Sequence, residues 1–216
     1  MTTSKLSLYN GALRELGERK LASLTENTET RRALDGVYDH AFKYCLEQGH
    51  WKFAQRAAKL DYDADFTSPF GYTYRFAKPS DLVKVSWVCE DEYFNTPLTS
   101  YSDESGYWYA DLDEIYISYV SNDADFGADM SKWPETYVLY LERYMAFRIA
   151  KRITQNKGDV DDLRKLAEKA GKDARSKDAI QGPTRFLPEG GWVSSRRGGQ
   201  GGDGRQDRGS RGSLTG

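Results

Sequence analysis

Apolar positions near the N-terminus recur at helical spacing. Tyr9, Ala12, Leu13 and Leu16 fall at i, i+3, i+4 and i+7 and predict a helix over residues 4–17. Ser4 suits its N-cap, and Gly17 suits a left-handed stop. A second, longer helix is predicted over 29–48, with Leu34, Val37, Tyr38, Ala41, Cys45 and Leu46 as its apolar stripe. Thr28 or Thr30 would cap it and Gly49 would end it. Trp51 and Phe53, directly after, are expected to plug the bottom of a helical core.

The period changes over residues 61–131. Helical spacing disappears, and turn formers such as Lys78-Pro79, Thr96-Pro97 and Ser105-Gly106 separate short aromatic and β-branched runs. Strands are predicted at Tyr72–Phe76, Leu82–Val88, Tyr107–Tyr109 and Glu114–Val120. In the last, Tyr116, Ser118 and Val120 alternate with Ile115, Ile117 and Tyr119, so both faces are rather apolar.

Helical spacing returns over 133–155, where Pro134 suits the first turn. Val138, Leu141, Met145, Ile149 and Ile153 form one stripe, and Tyr137, Tyr140, Tyr144 and Phe147 form another. A helix apolar on more than one face is either the centre of a bundle or touches a second subunit. The tyrosine stripe is taken here as a candidate subunit interface. A fourth helix, over 159–178, has a thin stripe rich in alanine that suits close helix packing. Its acidic first turn and basic last turn agree with the helix dipole.

The expected fold is therefore mainly α (α+β): a four-helix core, a β-rich insertion and a flexible C-terminal arm. Residues 1–60 and 132–181 would be the two helical halves, 61–131 the insertion and 182–216 the arm. The arm has no apolar period; it holds eleven of the twenty glycines and six arginines. Such a composition is expected to be disordered alone and to order on a partner, with Phe186, Trp192, Arg196 and Arg197 as the candidate contacts.

Composition sharpens this picture. The 216 residues are 38% hydrophobic and 30% charged, with mean hydropathy −0.75. No apolar run approaches the ~18–20 residues of a membrane span. The first residues lack a secretory profile, so synthesis in the cytoplasm is expected, with no membrane partner. The net charge of −2 conceals a strong segregation. Residues 1–60, 132–181 and 182–216 carry +3, +4 and +3, whereas 61–131 carries −12 and nine of the fifteen tyrosines. An acidic surface of that kind repels phosphate.

Chemical motifs are weak by comparison. Asp61-x-Asp63-x-Asp65 opens like a calcium loop, but Phe66 and Tyr72 stand where Gly and Glu are needed. His40, Cys45 and His50 have no zinc spacing, and Cys45 lies on an apolar stripe. No metal, cofactor or catalytic residue is expected. Two rival functions remain. Asp111, Asp113 and Glu114 would suit a carboxylate-dependent cell-wall hydrolase if one carboxyl were raised by an apolar pocket. The arginines of the arm would suit RNA binding.

The order of several short motifs adds a resemblance. Ala12-Leu13-Arg14-Glu15-Leu16-Gly17-Glu18 precedes Leu21-Ala22-Ser23-Leu24-Thr25-Glu26. A helix follows with Arg32-Ala33 and Tyr38-Asp39, and the segment closes on Trp51-Lys52-Phe53-Ala54. Over roughly residues 4–60 this resembles the tail tubular protein A family, the head-to-tail adaptors of short-tailed phages. Pro134-Glu135 and the aromatic run after it agree in position. The resemblance implies a structural virion protein at the portal vertex. It would form a dodecameric ring between portal protein and tail nozzle protein, with double-stranded DNA passing through without specific binding. It implies no catalytic centre.

Overall fold

The computed structural model describes residues 3–66, 70–153 and 157–181. The chain divides into two units, Met1–Gly182 and Pro183–Gly216, and all described elements belong to the first. The expected arm, with Phe186, Trp192, Arg196 and Arg197, lies outside the described residues.

The fold is mixed α+β. Among the described residues four helices run α1 (Lys5–Glu15), α2 (Glu29–Glu47), α3 (Glu135–Ile153) and α4 (Lys157–Ile180). Six strands lie between α2 and α3: β1 (Gln55–Asp61), β2 (Tyr74–Ala77), β3 (Leu82–Cys89), β4 (Ser102–Glu104), β5 (Tyr107–Ala110) and β6 (Glu114–Ser121).

Local chemistry sets the helix ends. Ser4 and Ser7 form a reciprocal capping box at the start of α1. At its end Gly17 has φ +72°, its N–H donates to the Arg14 carbonyl, and the Glu18 N–H donates to the Leu13 carbonyl. This Schellman closure requires the left-handed backbone that glycine adopts without a Cβ clash. Of the two candidate caps for α2, Thr28 is used: its hydroxyl accepts from the Arg31 N–H.

Helix α3 is the centre of the bundle, with α1, α2 and α4 all packed on it. The alanine face of α4 is buried at Ala167, Ala170 and Ala174. Between them Gly171 sits so close to the Tyr140 ring that a Cβ there would lie 2.7 Å from it. Small residues on one helix thus make room for an aromatic on the other.

The strands form two antiparallel sheets, ordered β1-β6-β3 and β2-β5-β4. Phe76, Trp108 and Ala110 of one sheet meet Val88, Ile115, Ile117 and Tyr119 of the other in a second apolar core. Val120 instead joins the helical core. The two apolar faces read in the Glu114–Val120 segment therefore serve two different cores.

The structure moves one expected boundary. The insertion does not begin at residue 61, because β1 spans Gln55–Asp61 and pairs with β6 from Gln55↔Val120 to Asp61↔Glu114. A charge-centred network ties this junction together. Asp81 accepts hydrogen bonds from Tyr119 at 3.1 Å and from Arg56 at 2.9 Å, and from Ser121. Burial opposes ionisation of Asp81, but the bonds from Ser121 and Arg56 hold its carboxyl below the usual range. Burial and the facing Asp81 push Tyr119 up to about 12.

Candidate functional site

The tyrosine stripe of α3 is not the free face that a subunit contact needs. Tyr137 is fully buried, with its ring 5.0 Å from Trp51, 4.8 Å from Phe53 and 5.3 Å from Trp133. Tyr140 is buried against Gly171 and hydrogen-bonds with Cys45. Tyr144 stacks on Tyr44 of α2 at 4.6 Å. Phe147, half-buried beside Tyr144, packs on the same core. The reading of Tyr137, Tyr140 and Tyr144 as an interface is therefore corrected: α2, α4 and the Trp51 segment of the same chain cover them, while Phe147 keeps part of its surface free. A second stripe reports only that something covers it, and here that is the chain itself.

The candidate chemical residues are dispersed. Cys45 is buried, and burial pushes its thiol up, away from a reactive thiolate. His40 is exposed on α2, and His50 hydrogen-bonds Ser86 at 2.8 Å. Asp63 pairs with Arg75, which holds its carboxyl below the usual range. Asp111 accepts from the Thr73 N–H at 2.8 Å and from its hydroxyl at 2.9 Å. Glu114 pairs with Lys59 and is lowered by it. Asp113 accepts a hydrogen bond from Tyr74. Among the described residues no group of three or more His, Cys, Asp or Glu is assembled to hold a metal ion.

Two surfaces remain with unusual chemistry. The first is a cleft of about 370 Å³ where α2 ends beside the end of α4, lined by Gln48, Gly49, His50, Trp51, Lys52, Arg175, Asp178 and Ala179. Its polar framework is built from backbone. The Lys52 N–H donates to both oxygens of Asp178 at 3.1 and 3.2 Å, so the Lys52 side chain is not needed for that bond. Burial raises Asp178, and the Lys52 N–H opposes the rise. Lys84 reaches the same rim and donates to the Glu47 carbonyl at 3.1 Å. Burial, with Lys84 and Lys52 nearby, lowers His50 further below neutrality. The rim thus gathers Lys52, Lys84 and Arg175 from three separate stretches of chain. Sequence reasoning missed this grouping, since Lys52 and Arg175 share no local pattern.

The second surface is the turn after β3. The Glu90 N–H donates to the Thr96 carbonyl at 3.0 Å and closes it. Inside, the Asp91 carboxylate accepts from the N–H groups of Thr96 at 2.7 Å and Asn95 at 3.0 Å, which holds it below its usual range. Phe94 is held at φ +56°, a left-handed conformation that a bulky residue adopts only under constraint. The turn projects Glu90 and Glu92, and Tyr93 is 71% exposed. Among the described residues, Glu90, Asp91 and Glu92 make no ion pair with Lys or Arg.

Comparison with known proteins adds no family: no protein-family model matches the chain, and no curated protein matches it.

Proposed function

We propose that the chain is a structural virion protein, a head-to-tail adaptor that assembles into a ring between portal and tail nozzle, with DNA passing through the centre. The finer architecture belongs to the same reading: a four-helix core, a β-rich insertion between its halves, and a flexible C-terminal arm that docks on the portal. The resemblance over residues 4–60 supplies the family. The observation that carries the reading beyond it is the segregation of charge, −12 in residues 61–131 against +3 and +4 in the flanking helical parts. A closed ring needs two different and complementary surfaces on every copy. Opposite charge on separate parts of one chain supplies them.

The hydrolase alternative gains no support from Glu114, one of its three candidate carboxyls. Glu114 is displaced downward by hydrogen bonds from Lys59 and Tyr116, opposite to what a general acid requires. RNA binding by the arginines of the arm rests on residues outside the described set.

Light scattering after size-exclusion chromatography tests the proposal. The expected result is a ring-sized species, formed alone or on addition of portal. A chain that stays monomeric at high concentration with portal present overturns it. Truncation at Gly182 is expected to leave folding intact and to abolish attachment to portal. Normal attachment of the truncated chain would remove the arm from the proposal.

A further inference from the structure

The cleft between the ends of α2 and α4 has the chemistry of a receptor. Lys52 and Arg175 stand in its lining, Lys84 flanks it, and its one buried carboxylate is turned onto the Lys52 backbone. Trp51 lies beneath it, almost fully buried, so the accessible chemistry is that of the cationic rim; the volume of about 370 Å³ lies within the ~300–1,000 Å³ of pockets that take a small group. A fitting occupant would carry more than one carboxylate, on a support that needs no ordering.

The turn Glu90–Thr96 has those properties. It carries Glu90, Asp91 and Glu92 around the exposed ring of Tyr93. The Asp91 bonds hold it in shape before any contact, which lowers the entropic cost of docking. An exposed tyrosine flanked by charge is the kind of anchor on which binding energy concentrates.

Within one copy β3 runs from the cleft to the turn as extended chain, which at ~3.3 Å per residue sets Glu90 roughly 13 Å from Ser86. Lys84 and Ser86 of that strand border the cleft, and the turn begins after Cys89 at its far end. The occupant is therefore a turn from elsewhere. We propose that the turn Glu90–Thr96 of one copy seats in the cleft of the next, with Glu90 and Glu92 facing Lys52, Lys84 and Arg175. The contact joins two different patches and leaves one of each free, so it propagates head to tail and closes when the rotation permits. This rests on the ring reading above and names the surfaces that would make it.

Charge reversal tests it. One full-length variant carries Glu90→Lys and Glu92→Lys; the other carries Lys52→Glu and Arg175→Glu. Each alone presents like charges at the contact and is expected to assemble at least ~10-fold more weakly than the natural chain. Mixed in equal amounts they become complementary at every contact, and assembly is expected to return. A chain with all four substitutions is expected to assemble by itself. Tyr93→Ser, which removes an exposed side chain, is expected to weaken assembly without changing the melting temperature. Rescue by mixing separates a lost contact from a damaged fold, because two misfolded chains do not repair one another. If the natural chain assembles and the reversed variants do so equally well, the contact is wrong while the ring reading stands. If the variants fail singly and remain unassembled when mixed, the contact is also wrong. A natural chain that never assembles overturns both.

Discussion

Replacing Trp51 by alanine is expected to destabilise the protein by about 3–5 kcal/mol, the usual range for deleting a large buried aromatic. Trp51 is almost fully buried. Its ring lies edge-on to Tyr137 at 5.0 Å and is tilted against Phe53 and Tyr140. Its indole N–H donates to the Cys45 carbonyl at 2.9 Å and the Leu46 carbonyl at 3.1 Å. Those carbonyls belong to the last turn of α2, which lacks the i+4 N–H partners of a helix interior; Leu46 also accepts from the Gln48 and Gly49 N–H groups. Truncation therefore opens a cavity and strips a cap at once. The cavity dominates, since a net hydrogen bond contributes only ~0.5–1.5 kcal/mol. Urea unfolding checks this: Trp51→Phe keeps most of the volume, loses the donor, and should fall well short of the alanine variant. An alanine variant weakened by less than about 1 kcal/mol would show that the ring does not join these elements.

A second large effect is expected at the contact between α1 and α3, and it depends on pH. Glu142 is buried on α3, and burial pushes its carboxyl from the ordinary 4.5 up to about 7, against the opposing charge of Arg14. Arg14 lies 3.4 Å away but is 65% exposed, so the pair offsets little of the desolvation. In the folded state Glu142 holds its proton up to about pH 7; in the unfolded state it releases it near 4.5. Between those values the native state binds more protons, so its stability falls as pH rises through that window and stays low above it. Glu142→Gln removes the charge and is expected to be more stable than the natural chain at pH 8 by about 1–3 kcal/mol, with the pH slope flattened. Melts at pH 5 and pH 8 read both effects. An unchanged slope would show that Glu142 ionises freely in the fold.

The same carboxylate lies against a glycine inside α1. A Cβ at Gly11 would lie 1.9 Å from the Glu142 carboxyl oxygen. Gly11→Ala would displace only that carboxylate, the far end of a flexible side chain, so its cost is expected to be small and to be opposed by the ~1 kcal/mol that alanine gains over glycine inside a helix. Its cost should shrink when Glu142→Ala is also present, because the clash is then absent.

The parts of this fold that were legible in the chain share a property: their signal lies within a few residues. Ser4 with Ser7, Thr28 with Arg31, and Gly17 with its closing bonds are short-range chemistry; Ser4 and Gly17 marked the ends of α1, and Thr28 was one of two candidates for the start of α2. The alternation through Ile115, Ile117 and Tyr119 carried the β6 strand in the same way. Strand β1 was not legible. Gln55-Arg56-Ala57-Ala58-Lys59-Leu60-Asp61 contains no β-branched residue and only one aliphatic larger than alanine, so its own preference is not for a strand. It is a strand because β6 lies beside it and its backbone groups pair there. Ser102–Glu104 is a strand for the same reason, paired along β5.

The functional surfaces divide along the same line. The net acidity of residues 61–131 was visible, but not the turn that Asp91 shapes within it, nor the exposure of Tyr93. The tyrosine stripe of α3 was visible, but not the neighbours that bury it. The basic cleft was invisible, since Lys52, Lys84 and Arg175 become neighbours only when β3 and α4 reach the end of α2.

By itself the sequence determined the four helices, the cap and stop of α1, the alternating β6 strand and the segregation of charge along the chain. Tertiary structure alone decided that Gln55–Asp61 is a strand, that Tyr137, Tyr140 and Tyr144 belong to the protomer's own core, and that three distant cations border one cleft. The reason is range: propensity and capping act between residues a turn apart, whereas burial and charge grouping depend on which remote segments the fold brings into contact.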